Sequence, residues 1–424
     1  MPQGSSTSLV VWHVEEISYT RHRGSAGARM DASTLLTRPE RASGRRLLVP
    51  ERPGVESSGL DELVSTSPAT IGTFRSSRGP VCLAPPRSSD PNGGPRHRLV
   101  SELAAWLHSQ GWPVEIVAAN DRSSTLASPR GQSPQVIGMG FRLRRLSPWL
   151  VHAFETRDAV ASQVASAPYV MTVEHVPGGE AFGFKPASLL EFRNALSGAQ
   201  RLVSTSRMAA ERLSETYGYQ SVVVPDGVDS AALGGVPSRR TRPVVVCPTS
   251  GARERDLQLV VDAFVRAASV VPDLQMATVG PIGAAAHARL VERIPARMRG
   301  SLLVIENTSH RKLLGLFARA SVTCFPSTME SFDRTVIESL GVGTAVVCAD
   351  GGVAAELIDE DAVASNAGLR FAPGEVEACA SALLTAIDRS FDEEVVAGCR
   401  RLSSLYDWDL VGPRLVEVYR LAGA

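Results

Sequence analysis

From residue 81 to residue 349, short runs of β-branched and small apolar residues alternate with amphipathic stretches of about ten residues, and few folds accept that alternation. The runs 81–84, 114–118, 150–154, 169–173, 202–204 and 222–224 read as strands of a first series. The runs 244–247, 274–279, 302–305, 322–325 and 345–349 read as a second. Residues 97–110 read as a helix with Leu99, Leu103 and Leu107 on one face, closed by Gly111 as a left-handed terminal residue. Further helices fall at 157–166, at 187–196, and from a Ser206 cap to Tyr217. Beyond residue 247, Leu257, Val260, Val261, Phe264 and Ala268 recur at helical spacing. Parallel strands need a long crossover, usually a helix, so the pattern predicts βαβ units and parallel sheets.

A chain of 424 residues can hold two such cores. The stretch between Asp229 and Pro243 separates the two series and reads as a linker, giving an α/β architecture of two Rossmann-like, doubly wound parallel-sheet domains. Residues 1–78 show no sustained period, are rich in Ser, Arg, Gly and Pro, and read as a largely disordered N-terminal extension.

Composition narrows the function classes. Formal net charge is zero, so no global field favours nucleic acid. Lys185 and Lys312 are the only lysines, which leaves cationic work to Arg or to helix N-termini. The six cysteines form no C-x-x-C pair and have no His cluster beside them, and Cys82, Cys247, Cys324 and Cys348 lie in short apolar runs, so the reading is of small buried hydrophobes in a reducing, cytoplasmic setting, with no metal site. No apolar stretch approaches the ~20 residues of a bilayer span. Arg142, Arg144 and Arg145, with Trp149, either dock on anionic lipid as a peripheral membrane contact or belong to a strand and its solvated edge, since Pro148 interrupts a helix. His310 and Lys312 read as solvated surface at a helix start.

The chemistry-bearing stretch runs from Phe325 to Glu338. A strand ends, Pro326-Ser327-Thr328-Met329-Glu330-Ser331-Phe332 forms a polar turn, and a helix starts near Asp333. Ligands of open α/β sheets bind outside the carboxyl ends of strands, and a helix N-terminus there favours a diphosphate. Glu330 before the helix and Glu338 within it stand eight apart, where two carboxylates can meet different hydroxyls of one ligand.

This E-x7-E spacing resembles the donor-site motif of retaining GT-B glycosyltransferases of family 4, also called group 1. The resemblance extends over residues 80–424: Val224-Pro225-Asp226-Gly227-Val228-Asp229 is similar to that family's V-I-P-N-G-V-D, the segment 255–264 to K-G-x-D-x-L-I-x-A-F, and Gly351-Gly352 with Glu356 to G-G-x-x-E. It implies an acceptor domain at 79–238, a donor domain at 239–405, and a closing helix at 406–424, bracketed by Trp408 and Tyr419, that crosses back to the first domain. It also implies a hexosyltransferase-like enzyme using a nucleotide diphosphate sugar and an unidentified acceptor, with no cofactor. By the same resemblance Glu338 would bind ribose hydroxyls, Glu330 the transferred sugar, and Arg255 the leaving diphosphate. Backbone amides of Phe332, Asp333, Arg334, Thr335 and Val336 would hold phosphate and sugar, and Gly93 and Gly94 would let the first-domain loop approach.

The match departs from the family at three places. Asp333 replaces a Gly, and either caps the helix or competes with the diphosphate. Thr249 and Ser250 replace a Gly-Arg pair, with Arg253 near enough to substitute. In Thr172-Val173-Glu174-His175, Glu174 or His175 faces the sugar, with His175 as the candidate catalytic residue. Glu356 either touches the donor or supports the Gly351-Gly352 turn. An epimerase or phosphorylase on the same architecture, and a degenerate sugar-nucleotide-binding protein, are the alternative readings.

Overall fold

Among the described residues, two parallel sheets of six strands each carry the chain. The computed structural model describes residues 79–85, 94–118, 134–177, 186–237, 240–249, 252–328, 334–358 and 367–423; the extension 1–78 lies outside them. The first sheet comprises β1 (Val81–Ala84), β2 (Val114–Ile116), β3 (Leu150–Ala153), β4 (Tyr169–Val173), β5 (Arg201–Ser204) and β6 (Val222–Val223), in the order β2-β1-β3-β4-β5-β6. Helices α1 (Gly94–Ser109), α2 (Pro134–Leu146), α3 (Thr156–Ala165), α4 (Pro186–Gly198) and α5 (Arg207–Tyr217) connect them.

The second sheet comprises β7 (Val244–Pro248), β8 (Gln275–Val279), β9 (Leu302–Ile305), β10 (Val322–Phe325), β11 (Ala345–Ala349) and β12 (Gly368–Phe371), in the order β12-β11-β10-β7-β8-β9. Its helices are α6 (Ser230–Gly234), α7 (Glu254–Ala267), α8 (Ala284–Arg293), α9 (His310–Phe317), α10 (Arg334–Gly341), α11 (Val353–Leu357), α12 (Val376–Asp388) and α13 (Glu393–Ser404), followed by α14 (Trp408–Gly423).

Both faces of each sheet are covered, which is why the strands read as unbroken apolar runs instead of alternating ones. Successive side chains still point to opposite faces. Val246, Val346 and Cys348 enter one core of the second sheet, while Val245, Cys247 and Val347 enter the other. Val81 and Leu83 separate from Cys82 and Ala84 in the same way in the first sheet. All six cysteines are free and buried, and burial pushes the Cys82, Cys348 and Cys399 thiols up to about 12. Among the described residues no helix is long and apolar enough to cross a membrane, and no group of three or more His, Cys, Asp or Glu is arranged to hold a metal.

Helix α14, last in sequence, packs on the first sheet: Trp408, Val411, Leu415 and Tyr419 share a core with Val81, Leu83, Leu103 and Trp112. His152 of β3 is fully enclosed there, with Nδ1 2.7 Å from the Tyr419 hydroxyl and Nε2 2.6 Å from Thr172 Oγ1. The crossing point is tied by backbone bonds, Val228 N–H to Tyr406 O (2.9 Å) and Trp408 N–H to Val228 O (3.1 Å). Gly227 precedes this bridge for a steric reason. A β-carbon there would sit 2.4 Å from the Trp408 ring.

Three expectations need correction. Arg142, Arg144 and Arg145 belong to helix α2, not to a strand edge. Pro148 lies beyond the last helical residue, Leu146, so it follows the helix without breaking it. The presumed linker after Asp229 contains α6, capped by the Asp229 carboxylate accepting from Ala232 N–H at 2.8 Å, and Leu233 is buried beside Gly341. Strand β12, on the sheet edge, was not foreseen; it has only four residues and includes the exposed, charged Arg370.

Candidate active site

In the second sheet the strand order reverses between β7 and β10, which are neighbours although three crossovers separate them. Loops leaving the two strands there diverge to opposite sides and open a crevice at their carboxyl ends. One wall is Thr249 and the start of α7. Gly280, after β8, closes against it, in a left-sided conformation (φ +123°) and with space for a β-carbon denied by Thr249 Oγ1 at 2.3 Å. The other wall is Pro326-Ser327-Thr328 and the N-terminus of α10. Gly352 packs on it, its α-carbon so near Ser327 O that a β-carbon would lie 2.6 Å away.

Glu338 sits one turn inside α10 and is only 1% exposed. One of its oxygens, Oε1, collects three nitrogen groups: Arg98 of α1 at 3.1 Å, His310 Nε2 of α9 at 3.0 Å and Arg334 Nε at 3.6 Å. Among the described residues its other oxygen, Oε2, has no hydrogen-bond partner. Burial alone would raise this carboxyl, but contact with His310 and the charges of Arg98, His310 and Arg334 outweigh it and hold the pKa below the ordinary value. His310 is therefore not the solvated surface residue its sequence position suggested. Nothing in its spacing to Glu338 reveals the contact, because the two lie on helices separated by β10.

The first domain meets this site directly. Arg98 and Glu102, one turn apart on α1, face α10, and Glu102 pairs with Arg334. Trp408 Nε1 points to the same Glu102 oxygen at 3.4 Å. Farther along the cleft, Arg96 pairs with Glu174 at 2.7 Å. Burial, with Arg96 opposing, raises the Glu174 carboxyl. Asp226, where the family segment carries Asn, is pushed up to about 7 by burial first and by the nearby Glu174 charge second, against the pull of Arg334 and Arg96. On the far flank Glu356 accepts from the first two amides of α5, Arg207 N–H at 3.0 Å and Met208 N–H at 2.7 Å. It bridges the domains, a role neither sequence alternative contained.

The remaining candidates divide. Glu330, Phe332 and Asp333, with Gly93 and Ser250, lie outside the described residues. Gly94 opens α1, and Arg334, Thr335 and Val336 form the first turn of α10, with Arg334 and Val336 buried. Arg253 and Arg255 stand at the start of α7. Arg253 N–H donates to Asp256 at 3.0 Å. The Arg255 side chain is 70% exposed and lies 3.5 Å from Asp256. Of the pair after β4, Glu174 turns into the cleft while His175 is exposed.

Comparison with known proteins finds relatives of the same fold. Residues 235–396 match the family model described as glycosyl transferases group 1. The chain is similar to a phosphatidyl-myo-inositol mannosyltransferase of Mycobacterium tuberculosis, 22% identical over 383 residues that make up 80% of this chain and 96% of that one. It is also similar to the sulfoquinovosyl transferase of Arabidopsis thaliana, 28% identical over 193 residues, 43% of this chain and 36% of that one. In structure it resembles Anabaena HepE, solved in complex with UDP and glucose, with a TM-score of 0.64 at 17% identity over 82% of this chain and all of the other. A glycosyltransferase from Rickettsia africae superposes with a TM-score of 0.63 at 16% identity, over 81% of this chain and 98% of its own.

Proposed function

The chain is a glycosyltransferase of group 1 with the GT-B fold and a nucleotide-sugar donor, and from that premise we propose a retaining transfer in which the crevice between β7 and β10 holds the donor. The observation that carries the assignment of the site is Glu338. It is buried at the first turns of α10, its pKa held down by Arg98, His310 and Arg334 around Oε1, and among the described residues its Oε2 has no hydrogen-bond partner. A buried carboxylate oxygen without a donor costs free energy, and a ribose diol supplies donors of the right kind.

The diphosphate then lies over the N-terminus of α10, where unpaired amides and the helix dipole favour an anion. Glu330 holds hydroxyls of the transferred sugar. Arg255, itself largely exposed and so only weakly held by Asp256, swings away to neutralise the departing diphosphate. Charge on the leaving group develops only as the glycosidic bond breaks, so a cation placed there lowers the barrier more than it tightens ground-state binding. Glu174 and His175 border the acceptor side, and closure of the cleft excludes water that would otherwise hydrolyse the donor.

A lipid-borne acceptor at an anionic membrane is the reading that α2 favours. Val136, Met139 and Leu143 face the core, while Phe141, 60% exposed, shares the outer face with exposed Arg144 and Arg145. An aromatic with cations beside it suits the interface of an anionic bilayer. Two relatives are named for a phosphatidyl-myo-inositol mannosyltransferase and a sulfoquinovosyl transferase.

The test is a panel of nucleoside diphosphate sugars, scored by thermal shift and by release of nucleoside diphosphate with lipid extracts as acceptor. One donor should stabilise the fold and be consumed, and Glu330→Gln and Glu338→Gln should abolish consumption. Consumption that survives both substitutions would remove the site assignment.

A further inference from the structure

Resting on that donor-site reading, we infer that Arg98 of the first domain is a positioning residue for the donor's ribose, so that the ribose subsite is complete only when both domains contribute to it. Glu338 is enclosed by three neighbours of different origin. Arg334 belongs to its own helix, and His310 to the adjacent α9 of the same domain. Arg98 alone comes from the other sheet, through α1, and its contact at 3.1 Å spans 240 positions of sequence.

All three side chains gather on Oε1, and none of them reaches Oε2 as a hydrogen-bond donor. A carboxylate pinned through one oxygen presents the other in a fixed direction, which is the arrangement a vicinal diol needs. Glu338 is almost completely enclosed, and of its three neighbours only Arg98 can be withdrawn by relative movement of the domains. A ribose hydroxyl therefore reaches Oε2 when α1 moves back, and Arg98 returns over Oε1 when the cleft closes. Donor affinity and cleft closure become linked through one guanidinium, and a ligand without the diol gains nothing from the link.

Arg98 is partly exposed, its side chain 24% accessible. The full-length protein and its Arg98→Ala and Arg98→Lys variants are titrated by calorimetry with UDP, GDP, ADP and CDP. The tightest of these is then compared with its 2′,3′-dideoxy counterpart. Wild type should prefer the ribose form. Arg98→Ala should weaken the ribose form by about tenfold or more while shifting the dideoxy form by less than about twofold, the scale of one lost charge-assisted contact. Arg98→Lys should recover part of the preference, because it restores the charge without the planar fork. Donor KM should rise in Arg98→Ala with kcat nearly preserved at saturation. Equal losses for the two ligand forms, or none, would overturn the positioning role while leaving the donor site intact. Wild type that binds no nucleoside diphosphate would overturn the donor-site reading itself, and this inference with it.

Discussion

His152 is sealed inside the first domain without a charge, and the protein should lose stability as the pH falls from 7 to 5 because of it. Burial lowers its pKa from 6.5 to about 3. In the unfolded chain the imidazole takes up a proton near pH 6.5, while in the native state it does not until about pH 3. Between those values the unfolded state binds more protons, so stability rises with pH and falls on acidification. Each pH unit below 6.5 removes about 1.4 kcal/mol, so by pH 5 the loss is about 2 kcal/mol. Urea unfolding at pH 7 and pH 5 should show that loss in wild type. His152→Gln, which keeps a polar group between Tyr419 and Thr172, should be destabilised at both pH values yet lack this part of the slope. The two proteins share every other titrating group, so the difference of differences isolates the imidazole. Parallel pH dependences would refute the enclosure of a neutral His152.

Glu338→Gln should cost about 3 kcal/mol or more in denaturant unfolding near pH 7, because Arg98, Arg334 and His310 lose their common counter-charge. The folded carboxyl has a lowered pKa, so this contribution is present above the unfolded value and should vanish as the wild-type carboxyl protonates on acidification. Asp226→Asn should become more stable relative to wild type as the pH is raised from 4 to 8, since the raised Asp226 carboxyl disfavours the native state once ionised; equal pH profiles would count against it. Gly227→Ala should destabilise by about 1–3 kcal/mol through overlap with the Trp408 ring, and a smaller residue at 408 should relieve much of that overlap. Phe141→Ser combined with Arg144→Ala and Arg145→Ala should reduce co-sedimentation with phosphatidylglycerol vesicles without altering the melting temperature by more than a few degrees; unchanged sedimentation would exclude α2 as the membrane face.

Legibility in the sequence followed the physics of each element. Strands buried on both faces, such as β10 with its residues Val322 to Phe325, stand out because every position is apolar. Helix α7 stands out because Leu257, Val260, Val261 and Phe264 repeat at helical spacing. Helix α2 was misread because its arginines outnumber the apolar residues near its end and Pro148 follows closely. The E-x7-E spacing of Glu330 and Glu338, with Asp333 inside it, was legible, yet the partners of Glu338 were not. Arg98 and His310 reach Glu338 across 240 and 28 positions, and no local periodicity encodes such meetings. The bridge from Glu356 to α5 was equally hidden, since a carboxylate that caps a distant helix looks the same in sequence as one that caps its own.

The docking of α14 on the first sheet sets the order in which the nascent chain can mature. Trp106, Trp112, Leu150 and Val170 are made before the second sheet, but their apolar surface is covered by Trp408, Leu415 and Tyr419, which are made after it. The second sheet is assembled from a continuous stretch and needs nothing made later than its own helices. Synthesis therefore leaves the earlier-made half waiting, with aromatic surface open to chaperones or to other chains, until α14 is made. Removing α14 should thus harm the first half of the molecule more than the second.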